Sequence, residues 1–171
     1  LQRLVRKDLA ASAFKFFDVT ETAVGYAPSI VTRAGFTGEL GYEIWTTPDY
    51  FASLFDDLRE AGQDQGLTLF GGRALSSLRL EKNYGSFNKD FRPDYTPGET
   101  GLDRFVDFGK PAFIGREAAL AERDSGPERR FVVMEVEAQD ADVVGYESIM
   151  QDGKAVGYVT SGAYGHCVDR S

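Results

Sequence analysis

The run from Ser29 to Gly62, SIVTRAGFTGELGYEIWTTPDYFASLFDDLREAG, holds the fold in miniature. Residues 29–36 are rich in β-branched and aromatic side chains and read as a strand. So does 41–46 (GYEIWT), with Tyr42, Ile44 and Thr46 on one face and Glu43 and Trp45 on the other. Between them Gly35, Gly38 and Gly41 allow tight turns and a close backbone approach. The period then changes. Thr47 can cap a helix, Pro48 suits its first position, and Asp49 complements the dipole. Phe51, Leu54, Phe55 and Leu58 follow at helical spacing, and Gly62 supplies a left-handed stop. The reading is strand, glycine loop, strand, and an amphipathic helix laid on the sheet.

Outward from this run, residues 14–24 form another strand, joined to 29–36 by a turn at Gly25 to Pro28. A second helix is expected from Arg73 to Asn83, with Leu75 and Leu78 one turn apart and Arg73, Ser77 and Leu80 on a neighbouring face. An irregular stretch covers 91–103, a short strand 104–108 and a third helix 115–123. The composition of 124–130 (DSGPERR) is that of a linker. Beyond it come a strand at 130–137, alternating on Val132, Met134 and Val136, and a hairpin turning at Asp152-Gly153 between Tyr146–Gln151 and Lys154–Thr160. The fold class is α+β: a mixed or antiparallel sheet with packed helices over residues 1–125, followed by the start of a small β-barrel at 126–171.

Composition removes several function classes. The net charge is −8 and no basic stripe exists, so a nucleic-acid partner is not expected. His166 is the only histidine and Cys167 the only cysteine. Disulfide frameworks and zinc sites need more partners, so no metal is expected, and the adjacent pair reads as structural. No apolar run approaches the ~20 residues of a membrane span, so the reading is soluble and cytoplasmic, or mitochondrial-matrix in a eukaryote. Leu1 is not a methionine and Ser171 falls within a patterned segment, so both ends read as cuts in a longer protein.

Two stretches could hold a ligand. In Arg33 to Glu43, acids (Glu39, Glu43) sit beside aromatics (Phe36, Tyr42). Rings can stack on a flat heterocycle while a carboxylate accepts from an amino-pyrimidine edge, though a glycine-rich hairpin with surface acids has the same look. In Gly71-Gly72-Arg73, an arginine at a helix start beside open backbone N–H groups can grip a carboxylate. Arg79, Glu81 and Lys82 read as solvated charges. Thr160 and Ser161 have no base within reach and read as structural.

In order, TRAGFTGELGYEI (32–44), GGRALSSLRLEKNYG (71–85), TPGETGLDRFVDFGKPAFIGREAAL (96–120) and GKAVGYVTSGAYG (153–165) resemble the aminomethyltransferase family, typified by the glycine cleavage T-protein. ALSSLRLEKNYGSFNKDF (74–91) and YVTSGAYGH (158–166) resemble the transferase portion of dimethylglycine and sarcosine dehydrogenases, which carry FAD on a preceding domain. The resemblance implies tetrahydrofolate-dependent one-carbon transfer from a small amine, within glycine cleavage or dimethylglycine and sarcosine demethylation. The implied partner is a lipoyl carrier protein or a fused flavin oxidoreductase domain. Glu43, closing the G-Y-E motif, would contact the pterin; Phe36 would lie beside it where the family commonly has Tyr. Arg73 would match the arginine of A-R-D-S-L-R-L-E and reach the folate tail, and Glu39 would match the acid of T-G-E. The family's catalytic Asp lies upstream, so the resemblance implies no catalytic residue here and a fragment inactive alone. Alternatives are a non-catalytic folate binder, whose K-G-C-Y-x-G-Q-E motif is replaced here by LEKNYGSF, a sulfur or oxygen demethylase, and a folate-free interaction domain.

Overall fold

The computed structural model describes residues 1–171, which form two compact units, Leu1–Lys82 and Asn83–Ser171. The first is built on a three-stranded antiparallel sheet of β1 (Val19–Val24), β2 (Ala27–Thr32) and β3 (Glu43–Thr46), in that order. Strands β1 and β2 are closed by a two-residue turn, with Val24 opposite Ala27. Gly25 has φ +58°, a conformation that favours glycine, and a Cβ there would also lie 2.1 Å from the Asp57 carboxylate and force it to move. Pro28 lies one residue beyond the β2–β3 register, which begins at Ser29, and so costs that ladder no hydrogen bond.

The pleat sorts the side chains. Val24, Ala27, Ser29 and Val31 face inward and are buried. They meet Val5, Leu9, Phe14 and Leu54, with Leu1, Leu4, Tyr42, Ile44 and Leu58 packed around them. The outer face presents Val19, Ile30 and Trp45, all exposed, with Glu21 beside Ile30 and Glu43 beside Thr32. The helix α1 (Phe51–Gly62) buries Leu54 and half-buries Leu58, whereas Phe51 and Phe55 stay exposed. Its stripe is therefore narrower than the sequence spacing suggests.

Several boundaries move. Residues 14–18 form turns and not strand: the Phe14 N–H donates to the Ala10 carbonyl and Phe17 sits at φ +67°. Strand β2 ends at Thr32, short of residue 36. Pro48–Tyr50 is a 3₁₀ turn preceding α1, and the left-handed stop falls at Gly66 (φ +69°), after a further 3₁₀ turn at Gln63–Gln65, with Gly62 at φ −98°. Helix α2 spans Gly72–Glu81, and Asn83, at φ +56°, takes the left-handed position after it.

In the second unit, α3 (Pro97–Thr100) starts on a capping box between Thr96 and Glu99, and α4 is Arg116–Ser125. The expected strand at 104–108 is instead a 3₁₀ turn at Asp103–Phe105, whose tightness lets the Val106 N–H reach the Asp103 carbonyl. No strand forms at 130–137 either. Val132, Met134 and Val136 are exposed and the backbone finds scattered partners, Phe131 N–H to Glu99 and Val136 N–H to Ser171. Alternation alone cannot make a strand without a neighbour to pair with. The hairpin is present: β4 (Ser148–Gln151) pairs with β5 (Lys154–Tyr158), and Asp152 (φ +49°) and Gly153 (φ +76°) supply the primed turn. Both sheets are antiparallel, and the class is α+β.

None of the fully buried apolar side chains belongs to the second unit; its buried side chains are Asp90, Glu99 and Thr100. The Asp90 carboxylate accepts from the Ser86 N–H (2.7 Å), from Ser161 Oγ (3.0 Å) and from the Thr160 hydroxyl. Thr160 and Ser161 are thus structural, tying the segment after the hairpin to the turn at residue 86. Phe91 packs edge-on against Phe87 and Phe131.

Candidate functional site

Residues 33–42 leave β2 and return as β3 through a loop narrowed at its neck: a Cβ on Gly35 would sit 3.5 Å from Gly41 Cα. On the N-terminal side, Arg33 donates to the Phe14 carbonyl at 2.6 Å, and the Tyr42 hydroxyl donates to the Leu9 carbonyl at 3.1 Å while its ring stacks on Phe14. The loop tip leans on α2. The Arg79 guanidinium lies 5.8 Å from the Phe36 ring centroid, and Lys82 Nζ is 2.9 Å from Glu39 Oε1. Gly38, at φ +75°, passes so close to the Lys82 stem that a Cβ would approach Lys82 Cγ to 2.1 Å. Backbone conformation and close approach both require glycine there.

Glu43 opens β3 on the outer face, exposed and opposite Thr32, and its carboxylate makes no hydrogen bond or ion pair. Arg73 stands in the first turn of α2, likewise exposed and unpaired. No hydrogen bond, ion pair or cation–ring contact joins Arg73 to Glu43, Phe36 or Glu39. The four expected ligand residues therefore separate into two pairs: Glu43 and Arg73 offer open charges, while Phe36 and Glu39 are engaged by Arg79 and Lys82.

Arg79 and Lys82 correct the expectation of solvated charges. Arg79 is only 3% exposed, and Lys82 is half-exposed in its ion pair. Arg79 lies one turn beyond Leu75, on the stripe already marked apolar, and that i, i+4 relation was the available signal. The motif register also bears on Arg73. With Ser77–Glu81 set on S-L-R-L-E, Leu75 stands where A-R-D has its arginine, and Arg73 falls two residues earlier.

A folate presents a flat amino-pyrimidine edge and an anionic tail. Glu43 and Arg73 have the chemistry for these two ends, and their charges are uncommitted. Phe36 is half-buried with the guanidinium set against its ring, and the Glu39 carboxylate is taken. Two open grooves lie elsewhere, one lined by Asp56, Arg59, Gln63 and Leu69, the other by Glu135, Asp140, Tyr164 and Arg170.

Residues 1–110 match the GCVT N-terminal domain and 129–171 the glycine cleavage T-protein C-terminal barrel domain; the chain belongs to the glycine cleavage T-protein family. Mitochondrial dimethylglycine dehydrogenase of Mus musculus is 38% identical over 172 residues, covering 100% of this chain and 20% of that protein. An aminomethyltransferase of Caldanaerobacter subterraneus subsp. tengcongensis is 34% identical over 164 residues, covering 96% of this chain and 43% of that protein. The crystal structure of glycine cleavage system aminomethyltransferase T from Bartonella henselae superposes with a TM-score of 0.70 at 30% identity, over 83% of this chain and 39% of that one. The chain thus spans from a fifth to under half the length of these relatives. No helix is long and apolar enough to cross a membrane.

Proposed function

We propose that these residues are the C-terminal part of a tetrahydrofolate-dependent one-carbon transferase, taking an aminomethyl or methylene unit from an amine donor in glycine cleavage or in dimethylglycine or sarcosine demethylation. The observation that carries the reading is Glu43: the acid that closes the G-Y-E motif stands open on the outer sheet face with no partner. Family membership and the names of the relatives support it.

Tetrahydrofolate supplies the nitrogen nucleophiles that receive the carbon. Glu43 would accept from the amino-pyrimidine edge, and Arg73 would pair with the tail carboxylates. Their work is binding and orientation, which converts an encounter into an aligned reaction. The acid that moves protons in this family lies upstream of this region, so the 171 residues alone bind without turnover. Residues 1–125 would then complete a folate-binding domain, and 126–171 would open the barrel. FAD on a preceding domain belongs to the dehydrogenase branch, and a lipoyl carrier partner to the glycine cleavage branch. A matrix location suits the former in a eukaryote and a cytoplasmic one suits bacteria.

The test is calorimetric titration of the full-length protein with tetrahydrofolate. Removing one charged hydrogen-bond partner in Glu43→Gln should weaken binding by roughly 1.5–3 kcal/mol, a tenfold loss or more. Arg73→Ala should lower affinity chiefly for polyglutamylated folate. An unaltered dissociation constant in Glu43→Gln, or no binding by the wild type, refutes the proposal.

A further inference from the structure

Phe36 and Glu39 resemble ligand-contacting positions of the family, yet both are held by one helix. Two cationic side chains, Arg79 of α2 and Lys82 at its C-cap, stand three residues apart and meet two successive parts of the loop tip. Arg79, almost fully buried, sets its guanidinium against the Phe36 ring, and Lys82 pairs with Glu39 while its stem fills the space that Gly38 leaves open. A cation over a ring gains most where water is excluded, as at Arg79. The Lys82–Glu39 pair, with side chains 45% and 70% exposed, contributes less in energy and fixes direction. From the tip the chain runs through the Gly41 neck and the anchored Tyr42 straight into Glu43. Whatever holds the tip therefore sets how firmly the first residue of β3 is presented.

We infer that Arg79 and Lys82 are positioning residues that clamp the glycine loop onto α2, and that Glu39 is the anchor of this clamp and not a ligand. The inference rests on the folate reading above for what the clamp serves. It differs from that reading in assigning Glu39, Arg79 and Lys82 a role through Glu43.

The experiment is a charge swap in the full-length protein: Glu39→Lys, Lys82→Glu and the double variant, followed by amide hydrogen exchange of residues 36–41 and by tetrahydrofolate affinity. The pair is exposed, so these variants should fold. Each single reversal sets like charges together and should speed exchange roughly two- to fivefold, with a parallel fall in affinity. The swap should restore both. Exchange restored with affinity still lost would make Glu39 a ligand and overturn the inference, as would single variants with wild-type exchange. Arg79→Met should speed exchange further, with Arg79→Lys between it and wild type; unchanged exchange in Arg79→Met removes Arg79 from the clamp. Absence of folate binding by the wild type defeats the functional reading separately, while the exchange rates still decide whether the clamp exists.

Discussion

Phe14→Ala should cost the first unit about 3–5 kcal/mol. Phe14 is 2% exposed and sits where the N-terminal segment, the inner sheet face and Tyr42 meet. A phenyl side chain of this kind buries ~150–250 Å², which at about 25 cal/mol per Å² is worth ~4–6 kcal/mol of transfer free energy. Alanine retains a small part of that, and incomplete collapse of the cavity works against the variant. The backbone contacts at residue 14 (its carbonyl accepting from Arg33, its N–H donating to Ala10) survive the change, so the loss isolates the ring. Against a total of about 5–15 kcal/mol for a domain, the variant should lie near its unfolding threshold. Urea titration monitored through Trp45, the only tryptophan and a residue of β3, reports this unit. A loss below about 1 kcal/mol would mean that the ring is not a structural centre, and the account of how Tyr42 is anchored would fall with it.

Asp90→Ala removes the acceptor shared by Ser86, Thr160 and Ser161 and leaves three donors in a place with little water. The second unit should lose roughly 2–4 kcal/mol, read as a lowered urea midpoint, with Asp90→Asn losing less. Glu99 is held below its ordinary carboxylate value of 4.5, first by the Thr96 backbone N–H and then by the Arg129 guanidinium. A depressed folded-state value stabilises above 4.5 and is lost as the pH falls through the lowered value. Melting temperature should therefore drop along that acid limb, and Glu99→Gln should flatten it; an unchanged slope would place the acid sensitivity elsewhere.

What was legible in the sequence were features written in local chemistry. The hairpin at 148–158 was fixed by Asp152-Gly153, since few pairs take two positive φ values in succession. The strand–loop–strand–helix order from 29 to 62 followed from a change of period. Residues 104–108 and 130–137 failed for one reason: an alternating run becomes a strand only beside a partner, and partners are not encoded locally. The site divided in the same way. The outward direction of Glu43 follows from the two-residue repeat of β3. The burial of Arg79 is not written locally, because it depends on Phe36, which is distant in sequence, and only its place on the Leu75 stripe points to it.

The neck where Gly35 meets Gly41 has a consequence for how this segment can change. Gly35 and Gly41 meet just before the chain re-enters β3 at Glu43, opposite Thr32, while beyond the neck Phe36, Gly38 and Glu39 are each tied to Arg79 or Lys82. Thr37 and the exposed Leu40 are left as the two side chains of the tip that can be recoded with the least disturbance, so variation in this segment should concentrate there.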